Sequence, residues 1–585
     1  WFVPGCSKWP TSGTFALAGI DKRFIPQLEY RGTDYPSSRD ADWAVRNKYN
    51  GQSHNTGFER GGNIRYRGFV HTFKYLVPPE IYYAEHPEYY SEIKGKRIPP
   101  DRTQLCLTNP DVLRIATQTV RRWIAESPDA SIISVSQNDW HIRKFWIDHG
   151  IACRKVAEEE GSESGSLVRF VNAIADNIKD DYPNIAIDTL AYQYTRKPPK
   201  ITRPRPNVII RLCSIECCFI HPLESDPYNA TFVDDIRGWN QKCNRLHIWD
   251  YVINYAHSIC PFPNLYVIKP NINFFINNGV KGIYEEACYY TKGSEMQELR
   301  SYLMAKTLWD PSYDTDKAID EFCDGFWGPA GRYLRQYINL IHEHVQKDPN
   351  LHVRIYTHPK QFLTPELISQ CRVLFDKAEA AVKDDPTLLH RVQVARLPII
   401  YTEITLASAG AFAQRGNQLV QEGGTDVTGL AKQFEEIARA EGVTRVREGG
   451  TANDVDGWLA TIPKRATTYE IKTLRNDLLE VSVIPGLGGR IWRVRSLPGN
   501  QDMIYLAGSP EAYDPTTGGY EEFSEGDYRT PGWNEPYKVI AQSANSLTLQ
   551  ATLSNGLQIT RRLELVPDSA TLKIASTVTN TTSTT

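Results

Sequence analysis

No run of apolar residues approaches the about 18 needed to cross a bilayer as a helix, so no membrane span is expected. A secretory signal peptide is also missing. That says little about export, because the chain opens on Trp1-Phe-Val-Pro-Gly without an initiator Met and closes on a Thr-rich strand, so that it reads as a fragment of a longer precursor. Its eleven cysteines contain no CxxC pair, and only Cys217 and Cys218 are adjacent, which argues against a zinc ribbon. Most of them are expected as small buried hydrophobes. There is no HExxH and no paired-histidine spacing, so neither metal nor cofactor is expected; lone histidines such as His71 and His221 are more often hydrogen-bonded core or rim residues. An excess of one charge is lacking too. Lys and Arg number 66 and Asp and Glu 69, interspersed, for a net charge of −3, which fits neither a nucleic-acid partner nor a polybasic membrane surface.

What is abundant is aromatic. The chain holds 13 Trp and 31 Tyr, rings with a polar handle that fill large cores and also stack on sugars, so a carbohydrate ligand is favoured. With 585 residues and 41% hydrophobic content there is material for several cores. Residues 1–20 read as the end of a preceding small α/β domain and 21–345 as a (β/α)8 barrel. A helical region is expected over 346–460 and a β-sandwich over 461–585, incomplete and galactose-mutarotase-like. The fold class is therefore α/β, a TIM barrel with these additions. Expected barrel strands are Phe24–Tyr30, Gly68–Phe73, Gln104–Thr108, Ile132–Ser136, Ile185–Ala191, Val208–Ile215, Leu246–Tyr251 and Gly282–Glu286, alternating with helices such as Asp111–Glu126, Ser166–Lys179 and Thr231–Lys242.

In such a barrel the chemistry gathers at the carboxyl ends of the strands. The central stretch is Ser131-Ile-Ile-Ser-Val-Ser-Gln-Asn-Asp-Trp140, a buried-strand run that breaks into a carboxamide, a carboxylate and an indole. Other strand ends supply His71, Tyr192-Gln-Tyr194, Glu216, Trp249-Asp-Tyr251 and Tyr284-Glu-Glu286. Salt-bridge partners for these acids are not evident in the same segments. Convergent carboxylates with aromatics suit glycoside hydrolysis, in which an acid protonates the leaving oxygen while positive charge develops at the anomeric carbon. Candidate catalytic residues are Asn138, Asp139 and Glu216; candidate substrate-binding residues are His71, Tyr192, Tyr194, Trp249, Asp250, Tyr251 and Glu285.

The runs Gly68-Phe-Val-His-Thr-Phe, His86-Pro-Glu-Tyr-Tyr, Gln104-Leu-Cys-Leu-Thr-Asn-Pro, Ser134-Val-Ser-Gln-Asn-Asp-Trp, Leu190-Ala-Tyr-Gln-Tyr-Thr, Ile215-Glu-Cys-Cys, Ile248-Trp-Asp-Tyr and Pro261-Phe-Pro-Asn resemble glycoside hydrolase family 163, earlier catalogued as DUF4838, over roughly residues 1–345. The resemblance implies an endo-β-N-acetylglucosaminidase that cuts the chitobiose core of complex N-glycans, exported by glycan-foraging bacteria to the periplasm, the cell surface or the medium. The partner implied is an N-glycan or glycoprotein. One departure stands out: relatives carry several cysteines soon after Asn-Asp-Trp, whereas the loop 141–153 here keeps only Cys153. The mechanism expected is substrate-assisted retention, in which the 2-acetamido oxygen attacks its own anomeric carbon. Either Asn138 holds the acetamide and Asp139 is the acid, or Asp139 polarises and Glu216 is the acid; the sequence leaves both open. A glucuronidase-like enzyme would want Arg or Lys at the mouth, which the strand ends lack, and a non-catalytic glycan-binding protein is the third reading.

Overall fold

Strands buried on both faces read as continuous apolar runs. Val208–Cys213 (VIIRLC), Ala186–Ala191 (AIDTLA) and Leu246–Tyr251 (LHIWDY) are buried at every position. In this computed structural model the residues described are 23–54, 56–93, 96–97, 103–139, 151–407, 411–449, 453–462, 468–504 and 535–581, with positions 3, 5–8, 13 and 19 near the start. They fall into two compact units, Trp1–Leu406 with Lys432–Trp458, and Ala407–Ala431 with Leu459–Thr585.

The first unit is built on a curled, all-parallel sheet of seven strands: β1 (Tyr30–Thr33), β2 (Tyr66–Arg67), β3 (Ile132–Ser134), β4 (Ala186–Ala191), β5 (Val208–Cys213), β6 (Leu246–Tyr251) and β7 (Val280–Glu286). Their order is β1-β7-β6-β5-β4-β3-β2. The strand expected at Gln104–Thr108 does not join the sheet among the described residues. Leu105 makes only an isolated antiparallel bridge to Tyr90, and β2 pairs directly with β3. Two further strands are displaced. Pro26 has no N–H for a ladder, Phe24 and Ile25 lie exposed, and β1 begins at Tyr30. Gly68, at φ 66°, takes the left-handed turn that stops β2 before the expected run begins. The edge strands β1 and β2 approach through their side chains. The Tyr30 and Tyr66 rings lie 5.9 Å apart, and Gln52 spans them, its N–H donating to the Tyr30 hydroxyl (2.9 Å) and its Oε1 accepting from Tyr66 N (2.6 Å).

Inside the curl sits an ion pair. Arg211 on β5 donates from Nη2 to Asp188 Oδ1 on β4 at 2.6 Å and to the Phe69 carbonyl at 2.5 Å. Neither side chain meets solvent, and the rings of Phe69, Trp249 and Tyr66 face the guanidinium carbon at 4.5, 4.9 and 5.2 Å.

Helices cover the sheet where the apolar period called for them. Pro110–Glu126 starts at Asn109, whose Oδ1 accepts from Asp111 N and Val112 N, and it buries Val112, Ile115, Val120 and Ile124. Ser164–Ile178 and Ala230–Asn240 follow the same logic. After β7 come Gln297–Trp309, Thr315–Trp327, Gly331–Gln346, Pro365–Ala381 and Pro386–Leu406, all within the first unit. No described helix is long and apolar enough to cross a membrane.

The second unit includes an antiparallel hairpin, Ala411–Arg415 with Gln418–Glu422, in a stretch expected to be helical. Two four-stranded antiparallel sheets, Lys472–Arg475 to Gln501–Asp502 and Lys538–Gln542 to Leu572–Asn580, share a core of Leu474, Val481, Val483, Leu547, Leu549 and Leu563. Of the run Trp533-Asn-Glu-Pro, only Glu535 and the proline after it are described, and Glu535 accepts from Ser554 N at 3.1 Å.

Removing one partner of a buried ion pair strands the other. Arg211→Leu is expected to cost about 3–5 kcal/mol of unfolding free energy, and Arg211→Leu with Asp188→Leu to recover most of it. Urea denaturation of the two variants checks both.

Candidate active site

Side chains alternate across a strand, so β4 to β7 each send every second residue inward. Parallel register aligns Leu190 with Arg211, Cys213 with Trp249, Trp249 with Tyr284 and Tyr251 with Glu286. Above the Arg211 ion pair these inward residues form the floor of an open cavity of about 490 Å³. Its walls are Val70, His71, Asp139, Leu190, Tyr192, Cys213, Ile215, Trp249, Tyr251, Tyr255, Glu286, Ile355, Tyr356 and Glu448.

Three carboxylates reach it. Asp139, solvent-exposed after β3, accepts a hydrogen bond from the Tyr192 hydroxyl at 3.3 Å, and Gln193 Nε2 in turn donates to that hydroxyl at 2.9 Å. Glu286, at the end of β7, accepts from Trp249 Nε1 at 2.7 Å. Burial, then the charge of Asp34, pushes the Glu286 carboxyl well above its ordinary range; the Trp249 donor opposes this, and the charges of Glu448 and Asp139 add to the rise. Glu448 stands exposed at the rim, raised by partial desolvation and then by Asp139. It is held there by backbone hydrogen bonds from Glu448 N to Tyr255 O (2.9 Å) and from Ser258 N to Val446 O (2.9 Å).

His71 sits at φ 53°, a conformation that is uncommon outside glycine and tends to mark functional or strained positions. Its Nδ1–H donates to Gln137 O at 2.8 Å, and burial lowers its pKa, so the ring presents neutral Nε2 as an acceptor. Ile355 and Tyr356 arrive on the loop after Gly331–Gln346, pinned across the strand ends by Tyr255 N to Ile355 O (2.8 Å) and Asn254 Nδ2 to Thr357 O (2.7 Å).

Of the residues singled out from sequence, His71, Asp139, Tyr192, Trp249 and Tyr251 line this cavity. Others lie elsewhere. The Asn138 carboxamide is engaged at both ends, Oδ1 accepting from Lys74 N (3.0 Å) and Nδ2 donating to Thr103 O (2.8 Å), so it fastens loops together. Glu216 pairs with Arg196 at 3.1 Å, and Arg196 also holds Asp235 at 2.7 Å; the partner that was not evident nearby in sequence comes from the loop after β4. Asp250 and Glu285 are one residue out of phase. They stand opposite each other on the outward face of β6 and β7, both buried, where burial raises Asp250 to about 6 and raises Glu285 well above its usual range. Ser214 donates its hydroxyl to Asp250. Tyr194 lines a separate small cavity with Phe73, Leu105, Cys153 and Leu167. Trp140 and residues 141–150 fall outside the described residues. Glu286, Tyr255, Tyr356 and Glu448 were not singled out. For Glu286 the signal was present in the doubled Glu285-Glu286; for Glu448 there is none, since its segment carries no period.

Residues 1–339 match the model of a family described as a domain of unknown function, DUF4838. The chain belongs to the DUF4838 family. No curated protein matches it in sequence. Among solved structures, an O-GlcNAc hydrolase mutant from Thermobaculum terrenum is similar over 57% of this chain and 70% of its own, at 9% identity and TM-score 0.28. CpGH89 from Clostridium perfringens, in complex with GlcNAc-α-1,4-galactose, is similar over 56% and 34%, at 8% identity and TM-score 0.29. A 4-α-glucanotransferase from Thermococcus litoralis is similar over 76% and 84%, at 10% identity and TM-score 0.16. At these scores the likenesses carry no argument about activity, and the site in this DUF4838 chain is read from its own side chains.

Asp34 follows β1 at the strand ends, level with Glu286, accepting from the Tyr284 hydroxyl (2.8 Å) and Ala287 N (2.7 Å), yet burial lifts its carboxyl to about 7. A carboxyl held higher in the fold than in the unfolded chain stabilises while protonated, fully below about pH 4, and that contribution is lost as pH rises through about 7. Asp34→Asn is therefore expected to flatten the fall in stability across that window by a few kcal/mol relative to wild type, as read from urea midpoints against pH.

Proposed function

We propose that this chain is a glycoside hydrolase whose active site is the cavity bearing Asp139 and Glu286. The observation that carries the reading is one concave site, walled by Tyr192, Trp249, Tyr251, Tyr255 and Tyr356, into which carboxylates of contrasting environment project. Aromatic walls suit the apolar faces of sugar rings. A carboxyl kept protonated by burial beside another exposed to solvent is the division of labour that glycosidic bond cleavage requires.

The finer reading is an endo-β-N-acetylglucosaminidase acting on the chitobiose core of complex N-glycans, with the retaining, substrate-assisted mechanism. The acetamide oxygen of the sugar attacks its own anomeric carbon while the bond from that carbon to the leaving oxygen breaks. Glu286 gives its proton to the leaving oxygen. Asp139, itself oriented by Tyr192, holds the acetamide N–H and supports the positive charge of the oxazolinium. Water then opens that ring at the anomeric carbon and returns a proton to Glu286. Of the two assignments left open by the sequence, this one keeps Asp139 as the polariser of the second and moves its acid role from Glu216, which Arg196 occupies, to Glu286; Asn138, bonded to Lys74 N and Thr103 O, takes no part. His71, Trp249 and Tyr251 bind the sugar. A glycoprotein substrate implies export of the enzyme.

Incubation with a fluorescent complex-type N-glycopeptide tests this. Release of the glycan is expected, with Asp139→Asn and Glu286→Gln each lowering kcat by about 10²- to 10⁴-fold and Glu216→Gln by less than about tenfold. Because Glu286 must be protonated to act, kcat is expected to fall as pH rises through its raised pKa. Binding without release would leave a glycan-binding protein instead; near-wild-type rates in both Asp139→Asn and Glu286→Gln would remove this cavity as the site.

A further inference from the structure

The geometry points to a structural divalent-metal site of the zinc class, formed by Cys218, His221, Asp226 and His352, outside the cavity just described. Three of the four side chains come from the loop after β5 and the fourth from the loop after Gly331–Gln346. The four donor atoms all lie within 4.8 Å of one another. His221 Nδ1 and His352 Nδ1 each stand 3.4 Å from Asp226 Oδ2, and His221 Nδ1 is 3.7 Å from Cys218 Sγ. A tetrahedral ion with bonds of about 2.0–2.3 Å spaces its ligands about 3.3–3.8 Å apart. These three edges fall in that interval, and the remaining ones stay within 4.8 Å.

A second observation concerns atoms left over. Asp226 is 5% exposed; its Oδ1 accepts from Tyr228 N at 2.9 Å, but its Oδ2 has no hydrogen-bond partner among the described residues. His352 Nδ1 is likewise buried and without one. Buried polar atoms of this kind are costly unless something meets them, and a cation placed among them meets both. The scaffold around the cluster is fixed. Asn229 accepts from Cys218 N (2.8 Å) and donates to Cys218 O (3.1 Å), and the Tyr228 ring stacks on His352 at 4.5 Å.

One thiolate, two imidazoles and one carboxylate form a borderline-soft set that suits zinc over calcium or magnesium, and four protein ligands close the coordination sphere, which is the structural kind of site. Its consequence is local. The two loops it ties already share Phe219 N to Val353 O at 2.9 Å, and they carry Ile215, Ile355 and Tyr356, three walls of the cavity. The ion would set the shape of that side of the mouth without touching a substrate. The expectation of no metal from sequence rested on a missing paired-His spacing, and these two histidines belong to different loops far apart in the chain.

The full chain, purified without chelator, is expected to carry about one zinc-class ion per molecule by elemental analysis. After chelator treatment its melting temperature should fall and recover on adding zinc. Cobalt(II) added to the stripped protein should give a thiolate charge-transfer band in the near ultraviolet, kept in Cys217→Ser and lost in Cys218→Ser, with ion content reduced in His352→Ala. A stripped wild-type chain that remains folded by circular dichroism yet gives no thiolate band, or a band that follows Cys217 rather than Cys218, overturns the site. These readings do not depend on glycan release, so they stand or fall apart from the proposed activity.

Discussion

A guanidinium buried in the middle of a sheet sets the terms for the first unit. Arg211 is enclosed, and two of its nitrogens, Nε and Nη1, have no hydrogen-bond acceptor among the described residues. Its stability rests on Asp188 at 2.6 Å and on the electron-rich faces of Phe69, Trp249 and Tyr66. That requirement constrains register. A one-residue slip of β4 against β5 would turn Asp188 outward and leave the charge alone, and the cost of an unpaired buried charge exceeds what apolar burial could return locally. The same cation also links the edge strand β2 to the centre, because the Phe69 carbonyl just beyond it accepts from Arg211.

Trp249 carries the constraint upward. One face of its ring meets Arg211 while its indole N–H donates to Glu286, so the residue that packs the core also orients the candidate acid. The core beneath this carboxyl is then not passive filling. Placing Asp139, Glu286 and Glu448 around one cavity adds mutual repulsion to the burial that is the first cause of the upward shifts of Glu286 and Glu448. The fold accommodates that cost through well-paired features elsewhere, and a proton held by Glu286 removes part of it.

Much of this was legible in the chain, and the parts that were not share a cause. Apolar runs located five of the seven strands to within a few residues, and Asn109-Pro110 marked its helix start, because both signals are local. The phase of a strand buried on both faces is not local. Leu246–Tyr251 offers no polar face to break the tie, so Asp250 and Trp249 look equally eligible in sequence, and only packing sends Trp249 inward. The same ambiguity chose Glu285 over Glu286. Asn138 looked catalytic because a carboxamide after a strand is chemically apt. The bonds its carboxamide makes, to Lys74 N and Thr103 O, depend on loops whose proximity no sequence spacing reveals.

Loops explain the remaining surprises, and they also explain how so short a set of strands makes a deep site. Where an eighth strand was expected, residues 103–109 instead run alongside Tyr90 and brace Asn138 through Gln104, whose side chain bonds both the N–H and the carbonyl of that residue. With fewer strands to raise walls, the mouth borrows height from the 351–358 and 445–449 segments, each tied by backbone hydrogen bonds to the β6 end through Tyr255. Such ties are few, and each holds its segment at only one or two points. A wall built this way needs a fastener that does not rely on burial, and the Cys218, His221, Asp226 and His352 cluster stands where the 351–358 loop meets the loop after β5. The Arg211 charge beneath and this cluster beside the cavity thus address the same problem, holding polar groups in place where apolar packing alone has too little to grip.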